Sequence, residues 1–309
     1  MMLRASACGK IILLGEHAVV YGQPALAVPV VRLTAQAELV SSDSPLFIEA
    51  PDIGLSAALE DLPAGNPLAF CVRRAANYLG IPPPPARMRI QSEIPVASGL
   101  GSGAAVSTAI VRVLATAAGR VLQPAEISTI VFEVEKILHG TPSGVDNTVI
   151  AYEQPVLFIH GQDPQPVRPG FDLHMIIAFS GIRSATKQAV GGVRERWQQD
   201  PHSYDSLFGE IGTLTRAGCR ALQSGDIPLL GRIMNDCHDL LREIGVSLPA
   251  LDRMVESARR AGAHGAKLSG AGLGGIVVAL VDKDREDAVL SALRSAGSTG
   301  EYRFLLASR

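Results

Sequence analysis

The stretch PVASGLGSGAAVS, from Pro95 to Ser107, constrains the fold of this chain more than any other. Its glycines at 99, 101 and 103 leave the backbone free to adopt positive φ angles. The residues that follow, AAVSTAIVRVLATAA, carry an apolar stripe at helical spacing. A glycine-rich loop that opens a helix presents unpaired backbone N–H groups to a small anion. The stretch therefore predicts a loop and helix N-terminus built to hold phosphate.

Two common phosphate patterns match this loop only in part. Gly99, Gly101 and Ala104 fit the G-x-G-x-x-A pattern of dinucleotide folds. That pattern requires a strand immediately before it and an acidic residue about 20 positions on; here Pro95–Ser98 intervenes, and the next acid is Glu126. The Walker pattern fails because no lysine follows the glycines. What remains is phosphate binding by backbone N–H groups, with Ser102 as a hydroxyl ligand for a phosphate oxygen or a metal.

Composition narrows the class of partner. The 28 Lys and Arg nearly balance the 30 Asp and Glu, so the chain has no electrostatic footprint for nucleic acid. No CxxC pair occurs among the four cysteines, which we expect to be reduced and mostly buried. The start MMLRASACGK runs directly into strand-like IILL, and no apolar run reaches about 18 residues. We therefore expect a cytoplasmic protein with a small-molecule substrate and no nucleic-acid or membrane partner; a homodimer is left open.

Strand and helix patterns alternate without the regular spacing of βαβ units, which favours an α+β fold over a doubly wound sheet. The polar Pro- and Gly-rich segment at 161–170 predicts a boundary between domains 1–168 and 169–309. We predict strands within 3–50 and over RMRIQSEI, PVLFIH, LHMIIAFSG and 302–307, and a strand–glycine loop–strand over AKLSGAGLGGIVVALV. HGTPSGVDN is predicted to be an irregular loop. Helices are predicted after the glycine loop, after Pro124, and over 67–79, 185–198, 205–222, 226–243, 249–262 and 284–296.

Candidate chemistry begins in KIILLGEHAVVYG. Lys10 stands at the start of an apolar strand, where burial without a partner would be costly. Glu16 and His17 follow a glycine at which the strand must end. An adjacent acid and imidazole at a strand end are suited to hydrogen-bond a polyol or a hydroxy acid.

Two acidic residues follow on either side of a chain reversal. Glu135 lies on the last turns of its predicted helix, where negative charge is unfavourable. Its presence there indicates an outside cation, although an ordinary surface glutamate is the commoner explanation. Asp146 lies eleven positions later, in the predicted loop. The spacing allows one carboxylate to hold Mg²⁺ and the other to face the substrate. The glycines of KLSGAGLGG precede a strand rather than a helix, so they predict close approach of a ligand or another backbone and not a Rossmann motif.

Taken in order, KIILLGEHAVVYG, the P-x-x-x-G-L-G-S loop, HGTPSGVDN and K-L-S-G-A-G resemble the motifs of the GHMP family of small-molecule kinases. The resemblance runs from Lys10 to about Gly275. It implies a ribosomal-protein-like N-terminal domain, a ferredoxin-like C-terminal domain, and ATP and Mg²⁺ as cofactors bound between them.

The resemblance also implies roles. Asp146 is the expected base for the substrate hydroxyl, and Lys10 is expected near it and the transferred phosphate. Glu135 is the expected Mg²⁺ ligand, joined by Ser102. The resemblance further implies that the ATP phosphates are bound by Pro95, Gly99, Leu100, Gly101, Ser102, Gly103 and Ala104. It implies that the substrate is bound by Glu16, His17, Gly270, Ala271 and Gly272.

Two departures from the family pattern occur. Gly103 stands where a second serine commonly binds Mg²⁺, and Leu273 stands where a glycine is frequent.

Because the first motif resembles that of one branch of the family, the resemblance implies mevalonate as the expected substrate, phosphorylated on its 5-hydroxyl. SGIRSATK fits the same branch, with Ser184, Thr186 and Lys187 as further contacts to substrate or nucleotide. Phosphorylation of the 3-hydroxyl of mevalonate, of phosphomevalonate or of homoserine remains an alternative within the family. Outside kinase activity, a dinucleotide-dependent oxidoreductase and a non-catalytic sensor on the same scaffold also remain open.

Overall fold

The structure is a computed structural model that describes residues 2–308 except 97, 141, 184 and 185. Its helices are α1 (Pro67–Leu79), α2 (Ser102–Ala117), α3 (Pro124–His139), α4 (Val145–Tyr152), α5 (Thr186–Gln199), α6 (Pro201–Ser224), α7 (Ile227–Glu243), α8 (Pro249–Arg260) and α9 (Glu286–Ser295). Its strands are β1 (Met2–Leu14), β2 (Ala25–Ser41), β3 (Phe47–Ala50), β4 (Leu55–Ala58), β5 (Ala86–Ser92), β6 (Val156–Phe158), β7 (Gln165–Pro166), β8 (Leu173–Phe179), β9 (Gly265–Ser269), β10 (Ile276–Val281) and β11 (Gly300–Leu306).

The chain forms two compact units, neither of which is continuous in sequence. The first unit consists of Met1–Lys10, Val31–Pro95 and Gly101–Glu153. The second consists of Ile11–Val30, Val96–Leu100 and Gln154–Arg309. Strands β1 and β2 each contribute residues to both units.

In the first unit, helices α1 to α4 pack together beside a sheet in which β3 joins β4 and β5, and β5 joins the second half of β2. Strand β5 buries Ala86, Met88 and Ile90 and exposes the residues between them, so it covers the core with one face. Local signals fix α1: the Asn66 side chain accepts backbone N–H groups at the N-terminus, and Gly80 ends the helix at φ 71°.

The second unit contains an antiparallel sheet in the order β11-β8-β10-β9. Every residue of β10 is buried. Helices α7 and α8 contact β9, and α9 contacts β8, so these helices cover the sheet. The first half of β2 pairs separately with β6 in this unit.

The α+β prediction is confirmed, because sheet pairing is antiparallel apart from β3 with β5 among the register pairs of the described residues. All four cysteines are buried and free of disulfides, as expected. Within the described part of the chain, no helix is long and apolar enough to cross a membrane.

Two local predictions were wrong. Lys10 does not start its strand, because β1 begins eight residues earlier at Met2. The irregular loop ends at Gly144, and α4 begins at Val145. Gly144 adopts φ 89°, a left-handed conformation, and the Ser143 hydroxyl accepts the N–H of Val145 at 3.3 Å at the start of the helix.

Candidate active site

The glycine-rich stretch leads into α2 as the sequence predicts. Gly99 and Gly101 have φ 85° and 75°, and Gly101 is the residue that caps α2. No side chain of the described residues caps this end, so the N–H groups of the first turn, from Ser102 on, face outward from the helix. The buried side chains of Leu100 and Ala104 anchor the turn on either side. Its free donors and the helix dipole favour a phosphate group.

Within the first unit, Lys10 of β1 forms an ion pair with Asp146 in the first turn of α4. The distance between Lys10 Nζ and Asp146 Oδ1 is 3.1 Å. Lys10 is 3% exposed and Asp146 is 28% exposed, so the pair has a buried cation and an accessible carboxylate. A Cβ atom on Gly101 would lie 3.2 Å from Lys10 Cγ, so the bare backbone of the glycine turn runs directly along the lysine.

Polar contacts between α3 and α4 hold Asp146 in place. The Asn147 side-chain amide donates to the Ser128 carbonyl at 3.2 Å and to the Ser128 hydroxyl at 2.9 Å. The Thr148 hydroxyl donates to the carbonyl of Gly144 at 2.6 Å. These bonds fix the start of α4 and with it the direction of the Asp146 side chain.

Glu135, from the last turns of α3, is buried beside this pair. Its side chain is 3% exposed. Burial, together with the negative charge of Asp146, raises the pKa of Glu135 to about 8, although Lys10 opposes the rise. A Cβ atom on Gly103 would lie 3.3 Å from Glu135 Oε1, which places this carboxylate against the first turn of α2.

The donor set around Glu135 fits Mg²⁺. Glu135 Oε1 is buried and has no hydrogen-bond partner among the described residues. Mg²⁺ prefers one or two carboxylates combined with phosphate oxygens of a substrate. No cluster of three or more His, Cys, Asp or Glu side chains suited to a metal occurs in the described ranges, so a bound nucleotide would have to supply the other ligands.

In the second unit, Glu16 and His17 are buried and engaged by the segment around β9. Glu16 Oε1 pairs with Lys267 Nζ, and the two side chains are 1% and 0% exposed. His17 Nε2 donates to the carbonyl of Ala271 at 2.9 Å. Burial lowers the pKa of His17 to about 4, so the ring is neutral at physiological pH.

The loop after β9 follows a close path that requires its glycines. Gly270 and Gly272 have φ 90° and 74°. A Cβ atom on Gly272 would lie 2.1 Å from the carbonyl oxygen of Val246, and Leu273 N–H donates to the same oxygen at 2.8 Å. Leu273 itself adopts φ 52°, which is strained for this residue type.

The remaining predicted contacts are placed as follows. Pro95 is exposed, Thr186 begins α5, and Lys187 is exposed. Ser184 lies outside the described residues.

The sequence reasoning missed two features. Asn147 ends the motif HGTPSGVDN but was given no role, and Ser128 lies in no motif. Lys267 carried the same signal as Lys10, a lysine in an apolar strand, and that signal could have predicted a buried partner.

Comparison with known proteins identifies the class. The family model for the N-terminal domain of GHMP kinases matches residues 67–154, and that for the C-terminal domain matches residues 220–299. The chain belongs to the GHMP kinase family, and the predicted two-domain fold is that of the family.

Three similar proteins are named mevalonate kinase. A mevalonate kinase from Pyrococcus furiosus is 34% identical to this chain, and the alignment covers 97% of this chain and 95% of that protein. One from Thermococcus sibiricus is 32% identical, with 94% of it and 96% of this chain covered. The crystal structure of an L. major mevalonate kinase in complex with R-mevalonate superposes with a TM-score of 0.85 at 28% identity, covering 96% of that chain and 99% of this one.

Proposed function

We propose that this protein is an ATP-dependent mevalonate kinase that phosphorylates the 5-hydroxyl of mevalonate. The observation that carries the proposal is the cluster in the first unit: the Lys10–Asp146 pair, buried Glu135 with an unpaired carboxylate oxygen, and the uncapped start of α2. Relatives at 32–34% identity over nearly the whole chain bear the same name. The family alternatives, with another hydroxyl or another alcohol as acceptor, are not favoured by these relatives.

Each part of the cluster then has a task in phosphoryl transfer. Asp146 accepts the proton of the attacking hydroxyl, whose oxygen forms a bond to the γ-phosphorus of ATP. The bond from that phosphorus to the bridging oxygen breaks, and ADP leaves with the electron pair. Lys10 offsets negative charge beside Asp146, and the N–H groups from Gly99 to Ala104 hold the phosphates. Such positioning and charge neutralisation account for most catalysis of this reaction.

Glu135 would hold Mg²⁺, with Ser102 as a further ligand. The ion supplies positive charge that neutralises the phosphate oxygens when it is bound. Because Glu135 Oε1 has no partner within the described ranges, a cation can bind this oxygen without breaking a hydrogen bond there, in exchange for the proton that burial keeps on the carboxyl group. Glu135→Gln is expected to raise the Mg²⁺ concentration needed for half-maximal activity; an unchanged Mg²⁺ titration would contradict this role.

The other residues implied by the family resemblance also remain proposals. Glu16, His17 and the loop residues Gly270 to Gly272 are assigned to substrate binding, and Pro95 and Leu100 to the phosphate loop. The domain boundary at 168, the cytoplasmic location, the homodimer, and the absence of nucleic-acid and membrane partners stay predictions.

A coupled ADP-release assay on mevalonate, phosphomevalonate, homoserine and galactose tests the function. We expect the highest kcat/KM with mevalonate, and ³¹P NMR of the product should show phosphate on the 5-oxygen. Preference for another alcohol, or phosphate on the 3-oxygen, would overturn the proposal.

The variant Asp146→Asn tests whether Asp146 is the general base. The amide keeps the shape of the side chain but cannot accept the proton. We expect kcat to fall by about 10²- to 10⁴-fold, the usual contribution of a general base, with nucleotide affinity retained. If a folded Asp146→Asn protein turned over at the wild-type rate, Asp146 would not be the general base.

A further inference from the structure

A second buried lysine lies outside the cluster assigned to phosphoryl transfer. Lys267 is the third residue of β9, and its ammonium group pairs with Glu16 and donates to the carbonyl of Leu268 at 2.6 Å. Both members of the ion pair are almost fully removed from solvent. Buried ion pairs gain little net stability, because desolvation offsets their attraction, and apolar replacements are often neutral or stabilising. A role other than stability therefore has to explain this pair.

The backbone next to Glu16 is strained. His17 has φ 60° and ψ −51°, and the N–H group of Ala18 donates to the carbonyl of Glu16 at 2.6 Å. These values define a classic γ-turn centred on His17, a rare conformation for a residue with a side chain. Strain of this kind persists only where the surroundings hold it in place, and it occurs mainly at functional sites.

Side-chain contacts clamp the γ-turn at two successive residues. Lys267 holds the carboxylate of Glu16, and the carbonyl of Ala271 accepts from the His17 ring. Both contacts come from β9 and the loop that follows it. If the Lys267 contact is removed, an anchor of the strained turn is lost, and the turn can relax.

The position of Lys267 is itself fixed by its neighbours. The Ser269 hydroxyl donates to the carbonyl of Ile12 at 2.8 Å and accepts the Ile12 N–H at 3.1 Å, which ties the end of β9 to β1. The N–H of Leu268 donates to His238 Nδ1 at 3.3 Å. His238 Nε2 in turn donates to Asp252 Oδ1 at 3.1 Å. The strand therefore presents Lys267 to Glu16 from a rigid base.

We propose that Lys267 is a positioning residue for the phosphoryl acceptor. It holds the Glu16 carboxylate and the γ-turn at His17 in the one arrangement in which they bind the substrate alcohol. The inference rests on the proposed function, which assigns Glu16 and His17 to substrate binding. It adds that their geometry depends on a lysine located 251 residues further along the chain.

The test compares Lys267→Met, Lys267→Arg, Glu16→Gln and the double variant Lys267→Met/Glu16→Gln. Lys283→Met serves as the matched control, because Lys283 is an exposed lysine of the same unit. For each variant, the melting temperature is measured first. The KM for mevalonate, the kcat and the dissociation constant for a non-hydrolysable ATP analogue are then measured at a temperature below the onset of unfolding.

We expect Lys267→Met to raise the KM for mevalonate by about tenfold or more while the affinity for the ATP analogue stays at the wild-type value. Arg at 267 should recover part of the loss, because it keeps the charge and can reach the same carboxylate. The double variant should be no worse in KM than the poorer single variant, since both changes break one interaction. Lys283→Met should match the wild type.

A purely structural pair gives a different result. In that case Lys267→Met lowers the melting temperature but leaves the KM for mevalonate unchanged in the folded protein, and the proposal is overturned. If Lys267→Met does not fold, the double variant and Lys267→Arg provide the comparison, because neither leaves a buried carboxylate without a countercharge. Additive effects on KM in the double variant would also count against Lys267 acting through Glu16.

The failure of the proposed function is recognised separately. It appears as wild-type protein that does not phosphorylate mevalonate. The KM for whichever alcohol of the panel is phosphorylated and the dissociation constant for the ATP analogue are then measured for the same variants. The same outcomes decide the role of Lys267.

Discussion

Replacing Glu135 by Gln should change how the stability of the metal-free protein depends on pH. Glu135 is buried, and the negative charge of Asp146 adds to the effect of burial, so its pKa is raised from 4.5 to about 8. Lys10 acts in the opposite direction but does not cancel the other two effects. In the unfolded chain the same carboxyl loses its proton near its ordinary pKa.

The sign and size of the effect follow from proton linkage. Between pH 4.5 and about 8 the folded protein keeps a proton on Glu135 that the unfolded chain has lost, so the free energy of unfolding falls as the pH rises. A difference of one pKa unit between the folded and unfolded states corresponds to about 1.4 kcal/mol of stability. The full loss is therefore on the order of 5 kcal/mol, complete above pH 8, and it is an upper bound because water and local relaxation soften buried charges. Gln at 135 never ionises and escapes this loss.

Urea denaturation in EDTA at several pH values from 5 to 9 measures the effect. At pH 5 wild type and Glu135→Gln should have similar free energies of unfolding, and the variant should become the more stable protein as the pH rises. Glu133→Gln is the control, because Glu133 lies on the same helix with an exposed side chain. Parallel curves for wild type and Glu135→Gln would refute the reasoning, since Glu135 would then ionise as easily in the folded protein as in the unfolded chain.

Three further predictions concern the glycine turn and a buried histidine. Gly101→Ala should lower stability by about 1–2 kcal/mol through its left-handed φ, which calorimetry measures. The added Cβ would lie 2.9 Å from Ile150 Cδ1 and 3.2 Å from Lys10 Cγ, so Lys10 has to shift and kcat should also fall; an unchanged initial rate would contradict the effect on Lys10. Gly103→Ser should place a hydroxyl beside Glu135 and lower the Mg²⁺ concentration for half-maximal activity, which a Mg²⁺ titration checks. Burial lowers the pKa of His238 to about 4, so the unfolded chain gains a proton first as the pH falls from 6.5, and stability should drop by about 3 kcal/mol towards pH 4. His238→Asn should flatten that part of the pH curve; a curve of unchanged slope would show that another group is responsible.

The sequence was informative where structure depends on neighbouring residues. Asn66, Pro67 and Gly80 are sequence signals for the start and end of a helix, and the structure uses each of them in that way. The glycine turn at 99–101 was equally predictable, because a run of small residues before an apolar helix has few conformations open to it. Antiparallel sheets also followed from the irregular order of strands and helices.

Features that depend on distant partners were not predictable from spacing alone. Glu135 looks like a surface residue of an amphipathic helix, and its burial becomes visible only when α3 packs against α2 and α4. The pairing of Glu16 with Lys267 joins residues that no local pattern connects. Helix α4 was missed because its eight residues are too few to show a clear period after a loop rich in Pro, Ser and Gly.

The two buried lysines illustrate how exposure of the partner separates a chemical task from a positional one. Asp146 is 28% exposed, so its carboxylate can exchange part of its contact with Lys10 for the hydroxyl of an incoming substrate. Glu16 is 1% exposed, so its bond to Lys267 is shielded from solvent. Under the proposed function, the Lys10–Asp146 pair rearranges when the substrate hydroxyl binds, whereas the Glu16–Lys267 pair keeps its geometry. In the proposed roles, the same sequence signal, a lysine in an apolar strand, marks a cation beside the base in one unit and a cation beside a substrate-binding segment in the other.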